Sequence, residues 1–246
     1  MSYRWEWTVF VQPVGTGEPT TYLGWIAAGL ETTVGIALAG WIIALAVGTA
    51  LGIVRTLPGR WLYWCSATYV AVFRNIPLIV QFFLWFWAVP ELLPGRLGSA
   101  IKHLPPTESG ALASVICLGL FTSARVCEQV RAGLQALPAG QRAAGLSLGL
   151  SRFQTYRYVL LPVAARNLVP PLTSEFLNIV KNSSVASTIG VLELTAQAQR
   201  MIDYTSQAYE SFIAIIAGYA LLTGIIMFVG RRIERSVRLP LGSGGR

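Results

Sequence analysis

Five ionisable side chains lie inside apolar stretches of the sequence. They are Glu31, Arg125, Glu128, Glu175 and Lys181. A charge within a lipid bilayer costs about 3 kcal/mol or more, so such residues mark a solute pathway or an ion pair. Arg125 and Glu128 are three residues apart and share one helix face, which Arg131 continues by another turn. This spacing allows either mutual neutralisation or the binding of a charged solute. For Glu31, helix packing and cavity lining are equally open.

Residues that carry enzymatic or metal chemistry are few and scattered. The three cysteines are Cys65, Cys117 and Cys127. Their odd number, the lack of a CxxC pair and the single histidine, His103, predict neither a disulfide framework nor a metal site. Neither of the two lysines, Lys102 and Lys181, follows a glycine, so the phosphate-binding loop of ATPases is missing. We therefore expect no enzyme activity, no catalytic residues and no cofactor bound by this chain.

The elements that position the five charges are expected to be membrane helices. Of the 246 residues, 54% are hydrophobic and only 12% are charged, about half the charged fraction of a soluble domain. Mean hydropathy is +0.56. The net charge of +8 comes from basic residues that flank apolar runs, which indicates a membrane rather than a nucleic-acid partner. We therefore do not expect a water-soluble fold.

Five apolar segments are long enough to cross a bilayer, which takes about 20 helical residues. They cover residues 23–54, 62–89, 111–134, 160–191 and 209–229. The first is too long for a cleaved signal peptide, so we expect it to be retained. Its Gly48 and Gly52 have the GxxxG spacing that lets a second helix approach closely. The second should break within residues 73–77, because Pro77 disfavours helix at Ile76.

The basic residues predict the orientation of these segments. With the N-terminus outside, twelve of the 19 lie at the inner side, four lie outside and three fall within apolar segments. Positively charged loops stay cytoplasmic, so the chain is predicted to be N-out and C-in with five core helices. A sixth crossing would need the segment before Leu23 to double back, and it is not apolar enough. Most tryptophans and tyrosines are expected at the membrane interfaces.

A polar stretch between the third and fourth segments, residues 138–158, is expected on the cytoplasmic side. Leu146, Leu150 and Phe153 have helical spacing, while Gly145 and Gly149 should turn or loosen the helix. Such a piece could lie on the lipid headgroups or dock a soluble partner.

This stretch resembles the EAA coupling loop of the membrane-spanning subunits of bacterial ABC importers, with the pattern EAA-xxx-G, nine residues, then I-x-L-P. Ala143-Ala144-Gly145 occupies the EAA position, Gly149 the glycine, and Val159-Leu160-Leu161-Pro162 the I-x-L-P. The spacing fits without a gap, although Ala143 replaces the glutamate and Gly145 the second alanine. The resemblance implies that the ATPase is contacted through residues 138–162, namely Gln141, Ala143, Ala144, Gly145, Gly149 and Pro162.

Further motifs are similar to the polar amino-acid subfamily of these permeases. Residues 73–78 resemble its FRNTPL motif, Glu128 and Arg131 its AE-xx-R motif, Gly140-Gln141 its GQ pair, and residues 181–189 its K-x-SSL-xx-I motif. Residues 124–131 and the ending Val237-Arg238-Leu239-Pro240 are most similar to the glutamate/aspartate permease subunits. The likeness covers residues 22–235. It implies an all-α polytopic membrane protein with the transmembrane-domain architecture of an ABC type I importer. The implied domains are a periplasmic segment over 1–22, a transmembrane domain over 23–235 and a cytoplasmic tail over 236–246.

The resemblance also implies roles for the intramembrane residues. A zwitterionic amino acid needs a carboxylate for its ammonium group, which makes Glu128 a candidate, and donors for its carboxylate. Most relatives have an aromatic residue where this chain has Arg125, whose guanidinium suits a second, acidic carboxylate. A discontinuous helix over Lys181, Asn182, Ser183 and Ser184 would bind the α-carboxylate. Otherwise Lys181 would pair with Glu175 or extend to the membrane surface, which its distance from both ends of the span disfavours.

The expected partners are those of the resembling family. They are two copies of a cytoplasmic ATP-binding subunit, a homologous second permease, a periplasmic amino-acid-binding protein, the amino acid and membrane lipid, with no nucleic acid. The chain is expected in the bacterial inner membrane, importing glutamate or aspartate. The alternatives are a permease for glutamine, histidine or arginine, or an ion-coupled secondary transporter. That last class predicts an internal repeat of broken helices, which the sequence does not show, and a membrane enzyme lacks a catalytic set.

Overall fold

The computed structural model describes residues 3–237, and this part of the chain is helical with no strand. The helices are α1 (Tyr22–Val54), α2 (Arg60–Asn75), α3 (Leu78–Phe83), α4 (Val89–Leu92), α5 (Gly95–Lys102), α6 (Pro106–Gln135), α7 (Ala139–Ser147), α8 (Arg152–Thr155), α9 (Leu161–Asn182), α10 (Leu194–Thr205) and α11 (Ala208–Val237). π-Helical turns join α3 to α4 and α8 to α9. The all-α expectation is confirmed. Arg238, Leu239 and Pro240, which contribute to the resemblance, lie outside the described residues.

Helices α1 and α6 form the centre of the fold through small residues. A Cβ atom on Gly48 would lie 2.6 Å from Cβ of Val126, and one on Gly52 would lie 2.7 Å from Cβ of Val130. The GxxxG spacing therefore serves close helix packing, as expected from the sequence. Because the later glycine meets the later valine, the two helices run in the same direction.

Three helices, α1, α6 and α11, are long and apolar enough to cross a membrane. Helix α2 together with the segment through α4 adds a fourth if this pair, bent by 104°, counts as one span. Helix α9 has 22 residues and contains Pro170 and Pro171. Length and apolarity alone thus account for up to four of the five expected crossings.

The predicted break in the second segment is confirmed. Helix α2 ends at Asn75, Ile76 is extended and α3 begins after Pro77. The side-chain amide of Gln81 donates to the carbonyl oxygens of Phe73 and Ile76, each at 2.9 Å. The amide satisfies backbone groups that the proline break leaves without helical partners.

The fourth apolar segment is interrupted, as the polar run at Lys181 predicts. Helix α9 ends at Asn182, a 3₁₀ turn covers Ser183–Ile189, and Gly190 adopts φ 82°. Helix α10 follows, and its N-terminus is capped by the buried carboxylate of Glu193, which accepts from the backbone N–H groups of Thr195 and Ala196. Helix α10 corresponds to none of the five apolar segments.

The segment before α1 packs against the first turn of α1, against α10 and against the start of α11. Glu18 accepts a hydrogen bond from the Trp25 indole and one from Arg200, both at 3.0 Å. Glu210 accepts from the Tyr3 hydroxyl and from the backbone N–H of Glu6. In this segment the structure has one short 3₁₀ helix, Trp7–Val11, which is far too short to cross a bilayer.

Candidate functional site

A polar cavity of about 290 Å3 lies where α2, α6 and α9 meet. It is lined by Arg74, Arg125, Glu128, Gln129 and Glu175. Arg74 is the penultimate residue of α2, so the break at Pro77 ends that helix beside the cavity. Two of the predicted substrate residues, Arg125 and Glu128, are brought together here, whereas Arg74, Gln129 and Glu175 were not assigned to the substrate site from sequence.

Arg125 is oriented by an aromatic ring and a carboxylate. Its guanidinium carbon lies 5.0 Å from the centre of the Phe121 ring. Its Nη1 lies 3.8 Å from Oε2 of Glu175. The Arg125 side chain is 39% exposed and that of Glu175 10%. A long ion pair with one open partner leaves guanidinium donors free for a ligand.

Glu128 is engaged by two other arginines rather than by Arg125. One carboxylate oxygen accepts from Arg55 at the end of α1. The other accepts from Nε and Nη2 of Arg131 at 2.9 and 2.8 Å. Along α6, the expected ion pair therefore forms between Glu128 and Arg131. Arg125 does not neutralise Glu128. Glu128 touches the cavity with its negative charge already compensated.

Arg74 supplies a cation without a carboxylate. Within residues 3–237 it forms no ion pair. It lines both the polar cavity and an adjoining space beside Arg55 and Glu128. The sequence signal that could have found it is an arginine at the end of a helix that a proline interrupts.

The predicted group at the end of α9 lies apart from this cavity. Lys181 is exposed, Ser183 donates to the carbonyl of Val180 at 2.7 Å, and Ser184 donates to that of Lys181 at 2.9 Å. Lys181 is six residues after Glu175, about 9 Å further along the helix. Glu175 pairs with Arg125 rather than with Lys181. Asn182 stands two helical turns from Glu175 and on the same face.

Glu31 is exposed on the surface of α1. Within the described part of the chain its side chain forms no hydrogen bond or ion pair. It is not packed between the described helices of this subunit, and it is not among the residues that line the polar cavity.

The EAA-like stretch folds into two short helices joined by a tight turn. Gly145 is buried against α8, where an added Cβ would lie 2.9 Å from Cγ2 of Thr155. Gly149 adopts φ 80°, a conformation that favours glycine. Ser151 caps α8 by accepting from the backbone N–H of Gln154, whose side chain accepts in return from that of Ser151. The expected helical piece with a turn at Gly149 is confirmed.

These two helices present apolar side chains to the outside. Leu148 is 81% exposed and Phe153 is 75% exposed. Ala143 and Ala144, at the first two EAA positions, are also exposed, whereas Gln141 is half-buried. Pro162 lies in the first turn of α9, directly after the π-helical turn Tyr156–Leu160. Exposed apolar residues on a defined helical element are typical of a protein docking surface.

A series of contacts joins this docking surface to the polar cavity. The Arg142 guanidinium lies 5.8 Å from the centre of the Tyr156 ring. The Tyr156 hydroxyl is 3.0 Å from Oγ1 of Thr56 and donates to the Thr56 carbonyl at 3.2 Å. Thr56 follows Arg55, which binds Glu128 at the cavity. Movement of α8 therefore has a direct connection to the C-terminal end of α1.

Within residues 3–237 no cluster of histidine, cysteine or acidic side chains is arranged to hold a metal ion. A bundle of apolar helices with a charged internal cavity and an exposed apolar docking element defines a membrane transport subunit. Residues 42–239 match the family described as the inner membrane component of binding-protein-dependent transport systems. The chain belongs to this family.

Sequence relatives cover the whole chain. It is 51% identical over 247 residues to the glutamate/aspartate import permease protein GltJ of Escherichia coli strain K12, with all of both chains aligned. It is 31% identical to the glutamine transport system permease protein GlnP of the same strain, over 86% of this chain and 92% of that one. The arginine transport system permease protein ArtQ of Bacillus subtilis is 30% identical over 87% and 92%.

Solved structures share the fold. The crystal structure of an amino acid ABC transporter with histidines aligns with a TM-score of 0.73 and 28% identity, over 87% of this chain and 95% of that chain. An inward-facing structure of the MetNI methionine ABC transporter also gives a TM-score of 0.73, at 21% identity and over 91% and 100% of the two chains. The second likeness shows the fold alone. Together they confirm the expected ABC permease architecture.

Proposed function

We propose that this chain is the membrane-spanning permease subunit of an ATP-driven importer of acidic amino acids, glutamate or aspartate, in the bacterial inner membrane. The full-length likeness to a glutamate/aspartate import permease carries this proposal. The polar cavity supports it, because Arg74 and Arg125 line it with Glu175, while the charge of Glu128 is compensated by Arg55 and Arg131. Permeation of glutamine, arginine or histidine is the alternative, favoured by the relatives with lower identity.

The cavity suits an amino acid with two carboxylates. Glu175 would accept the substrate ammonium group, and the planar guanidinium of Arg125 would bind one carboxylate through two hydrogen bonds. Arg74 would bind the other carboxylate from the opposite side. Glu128, held by Arg55 and Arg131, would shape the cavity rather than bind the ammonium group directly. This assignment moves the ammonium contact from Glu128 to Glu175.

Lys181, Asn182, Ser183 and Ser184 would form a second, outer part of the path. Lys181 is exposed on α9, on the same face as Ser174, seven residues earlier. An exposed lysine and an unwound helix end are unfavourable next to lipid but suit a path between two permease subunits. The substrate carboxylates would meet Lys181 before they reach Arg125.

The alternation of helix directions supports five crossings. Helix α1 runs parallel to α6, so an odd number of crossings must separate them, and the bent α2–α4 segment supplies one. Thr173 of α9 meets Gly230 of α11, and Leu194, which starts α10 after α9, meets the earlier Gly218. The chain from α9 to α10 therefore runs antiparallel to α11. With α9 as the fourth span, the two ends of the transmembrane domain lie on opposite sides of the membrane. The excess of basic residues on one side then favours a periplasmic N-terminus, with residues 138–162 and the tail, residues 236–246, in the cytoplasm.

The family implies a binding protein and an ATP-binding subunit as partners. We propose two copies of the ATP-binding subunit and one homologous second permease. One ATPase copy would dock on Leu148 and Phe153 of this chain, since both are exposed. With Ala143 in place of glutamate, this contact depends on shape and apolar area. ATPase closure would then move α8 and, through Tyr156, the inner end of α1.

Uptake by the whole complex tests the proposal. Proteoliposomes containing all subunits are loaded with ATP, and labelled glutamate uptake is measured against aspartate, glutamine and arginine as competitors, for the wild type and Arg125→Tyr. We expect glutamate uptake to fall in the variant while assembly and ATPase activity persist. Preferred uptake of glutamine or arginine by the wild type would overturn the substrate assignment. Unchanged glutamate uptake and selectivity in Arg125→Tyr would remove Arg125 from recognition.

A further inference from the structure

An apolar groove of about 660 Å3 lies between α1, α9 and α11 and shares no residue with the polar cavity. Its lining includes Leu38, Trp41, Phe176, Ile225, Val229 and Ile233. Thr173 also lines it, but its hydroxyl donates to the carbonyl of Val169 at 2.8 Å, so the wall remains apolar. An apolar space of this size open to the outside of a membrane helix bundle requires an apolar occupant.

On either side of the groove, α11 approaches the rest of the subunit closely at a glycine. A Cβ atom on Gly218 would lie 2.8 Å from Cδ2 of Leu194, and one on Gly230 would lie 2.5 Å from Cγ2 of Thr173. These two close approaches are twelve residues apart, about 18 Å along the helix. Between them α11 bridges over the groove, and only 6% of its most apolar stretch is buried.

The length of the groove matches one leaflet of a bilayer. Its lining extends over residues 34–45 of α1, 169–180 of α9 and 222–233 of α11. Each range rises by about 16 Å, and half of a hydrocarbon core is about 15 Å thick. Under the proposed orientation, residues 45, 169 and 233 lie at its cytoplasmic end. On α11, Arg231 and Arg232 mark the inner membrane surface at that end, so the groove lies in the inner leaflet there.

Basic side chains stand at that cytoplasmic end. Arg166 is one turn before Val169 on the same face of α9, and Arg232 is one turn after Val229 on the same face of α11. Both are exposed, and the Arg232 guanidinium lies 5.0 Å from the centre of the Phe228 ring. Arg231 and Arg235 add to the positive charge, against the single acid Glu234. The mouth of the groove is complementary to an anion.

We propose that this groove binds one acyl chain of an anionic phospholipid from the cytoplasmic leaflet, with the lipid phosphate between Arg166 and Arg232. The inference rests on the orientation given under the proposed function, but not on the identity of the transported amino acid. A bidentate guanidinium contact at the membrane surface favours phosphatidylglycerol, with its net negative charge, over zwitterionic phosphatidylethanolamine. The acyl chain fills the space that α11 leaves between its two glycine contacts.

Native mass spectrometry of the complete complex tests the groove. The complex is released from nanodiscs of phosphatidylcholine doped with phosphatidylglycerol or with phosphatidylethanolamine, and retained lipids are counted. Val229→Trp fills the groove and is expected to lose the retained phosphatidylglycerol. Leu221→Trp is the matched control, since Leu221 is exposed on α11 outside the groove. Retention by Val229→Trp equal to the wild type would overturn the proposal.

A double variant tests the contact between the lipid headgroup and the two arginines. Arg166→Gln combined with Arg232→Gln is expected to weaken phosphatidylglycerol binding roughly twenty-fivefold, about fivefold per arginine. Arg60→Gln, which removes a basic residue from the start of α2, is expected to leave it unchanged. Equal retention of both lipids by the wild type would refute the anionic headgroup. A photo-cross-linker at Ile225 that captures the second permease would show that a helix fills the groove instead. These lipid counts do not require transport, so failure here is distinct from failure of the proposed function.

Discussion

Close packing between Gly145 and Thr155 predicts the effect of a single methyl group on coupling. In Gly145→Ala the new Cβ would lie 2.9 Å from Cγ2 of Thr155. Relief of such an overlap costs about 1–3 kcal/mol, while alanine gains about 1 kcal/mol in helix propensity. The net cost of up to about 2 kcal/mol would displace α7 from α8. We expect glutamate uptake per ATP hydrolysed to fall by up to about thirtyfold.

Two further variants separate packing from other effects of this substitution. Gly140→Ala is the matched control, because Gly140 lies on the same helix and an added Cβ meets no atom within 4 Å. It should keep full uptake. Thr155→Ser removes Cγ2 but keeps the hydroxyl that donates to Ser151, so Gly145→Ala with Thr155→Ser should recover most of the loss. Normal uptake in Gly145→Ala alone, or no recovery in the double variant, would refute the reasoning.

Three other variants test the packing of α1, the coupling contacts and the N-terminal segment. Gly48→Val should abolish assembly of a stable permease, judged by its melting temperature in detergent, whereas Gly35→Val should not, because an added Cβ there meets no atom within 4 Å. Tyr156→Phe removes the hydroxyl contacts to the end of α1 and should raise ATP hydrolysed per glutamate imported, with complex assembly unchanged. The hydrogen bonds from Trp25 and Arg200 lower the pKa of Glu18. Its contribution to stability is therefore complete above the ordinary glutamate pKa and is lost as pH falls through the lowered value. Limited proteolysis of the N-terminal segment should show this acid sensitivity in the wild type, and Glu18→Gln should not show it in that pH range.

The features of the fold that the sequence predicts are those with local causes. Pro77 breaks the second segment, Gly48 and Gly52 pack against α6, and Gly149 turns the EAA-like stretch. Each follows from the steric properties of one or two residues. Helix α10 was missed because its start depends on Glu193, a buried cap that lies just beyond an apolar run and looks like an ordinary polar residue.

The pairing of charges was harder to predict than their presence. Helical spacing placed Arg125, Glu128 and Arg131 in one row, but it could not show that Arg55 reaches Glu128 from the end of α1. Once Arg55 and Arg131 occupy Glu128, Arg125 is left for Glu175. Such choices depend on which helices are neighbours, and spacing along a single helix contains no information about that.

The charges around the cavity argue for an anionic solute independently of any relative. Arg55, Arg74, Arg125 and Arg131 face only Glu128 and Glu175, so the group has an excess of two positive charges. Within the membrane such an excess is costly, and a bound acidic amino acid, with its net charge of about −1, lowers that cost. A cationic amino acid would raise it. Arg55, Arg125 and Arg131 already pair with the two glutamates, so Arg74, which has no carboxylate partner within residues 3–237, adds the preference for glutamate or aspartate over arginine.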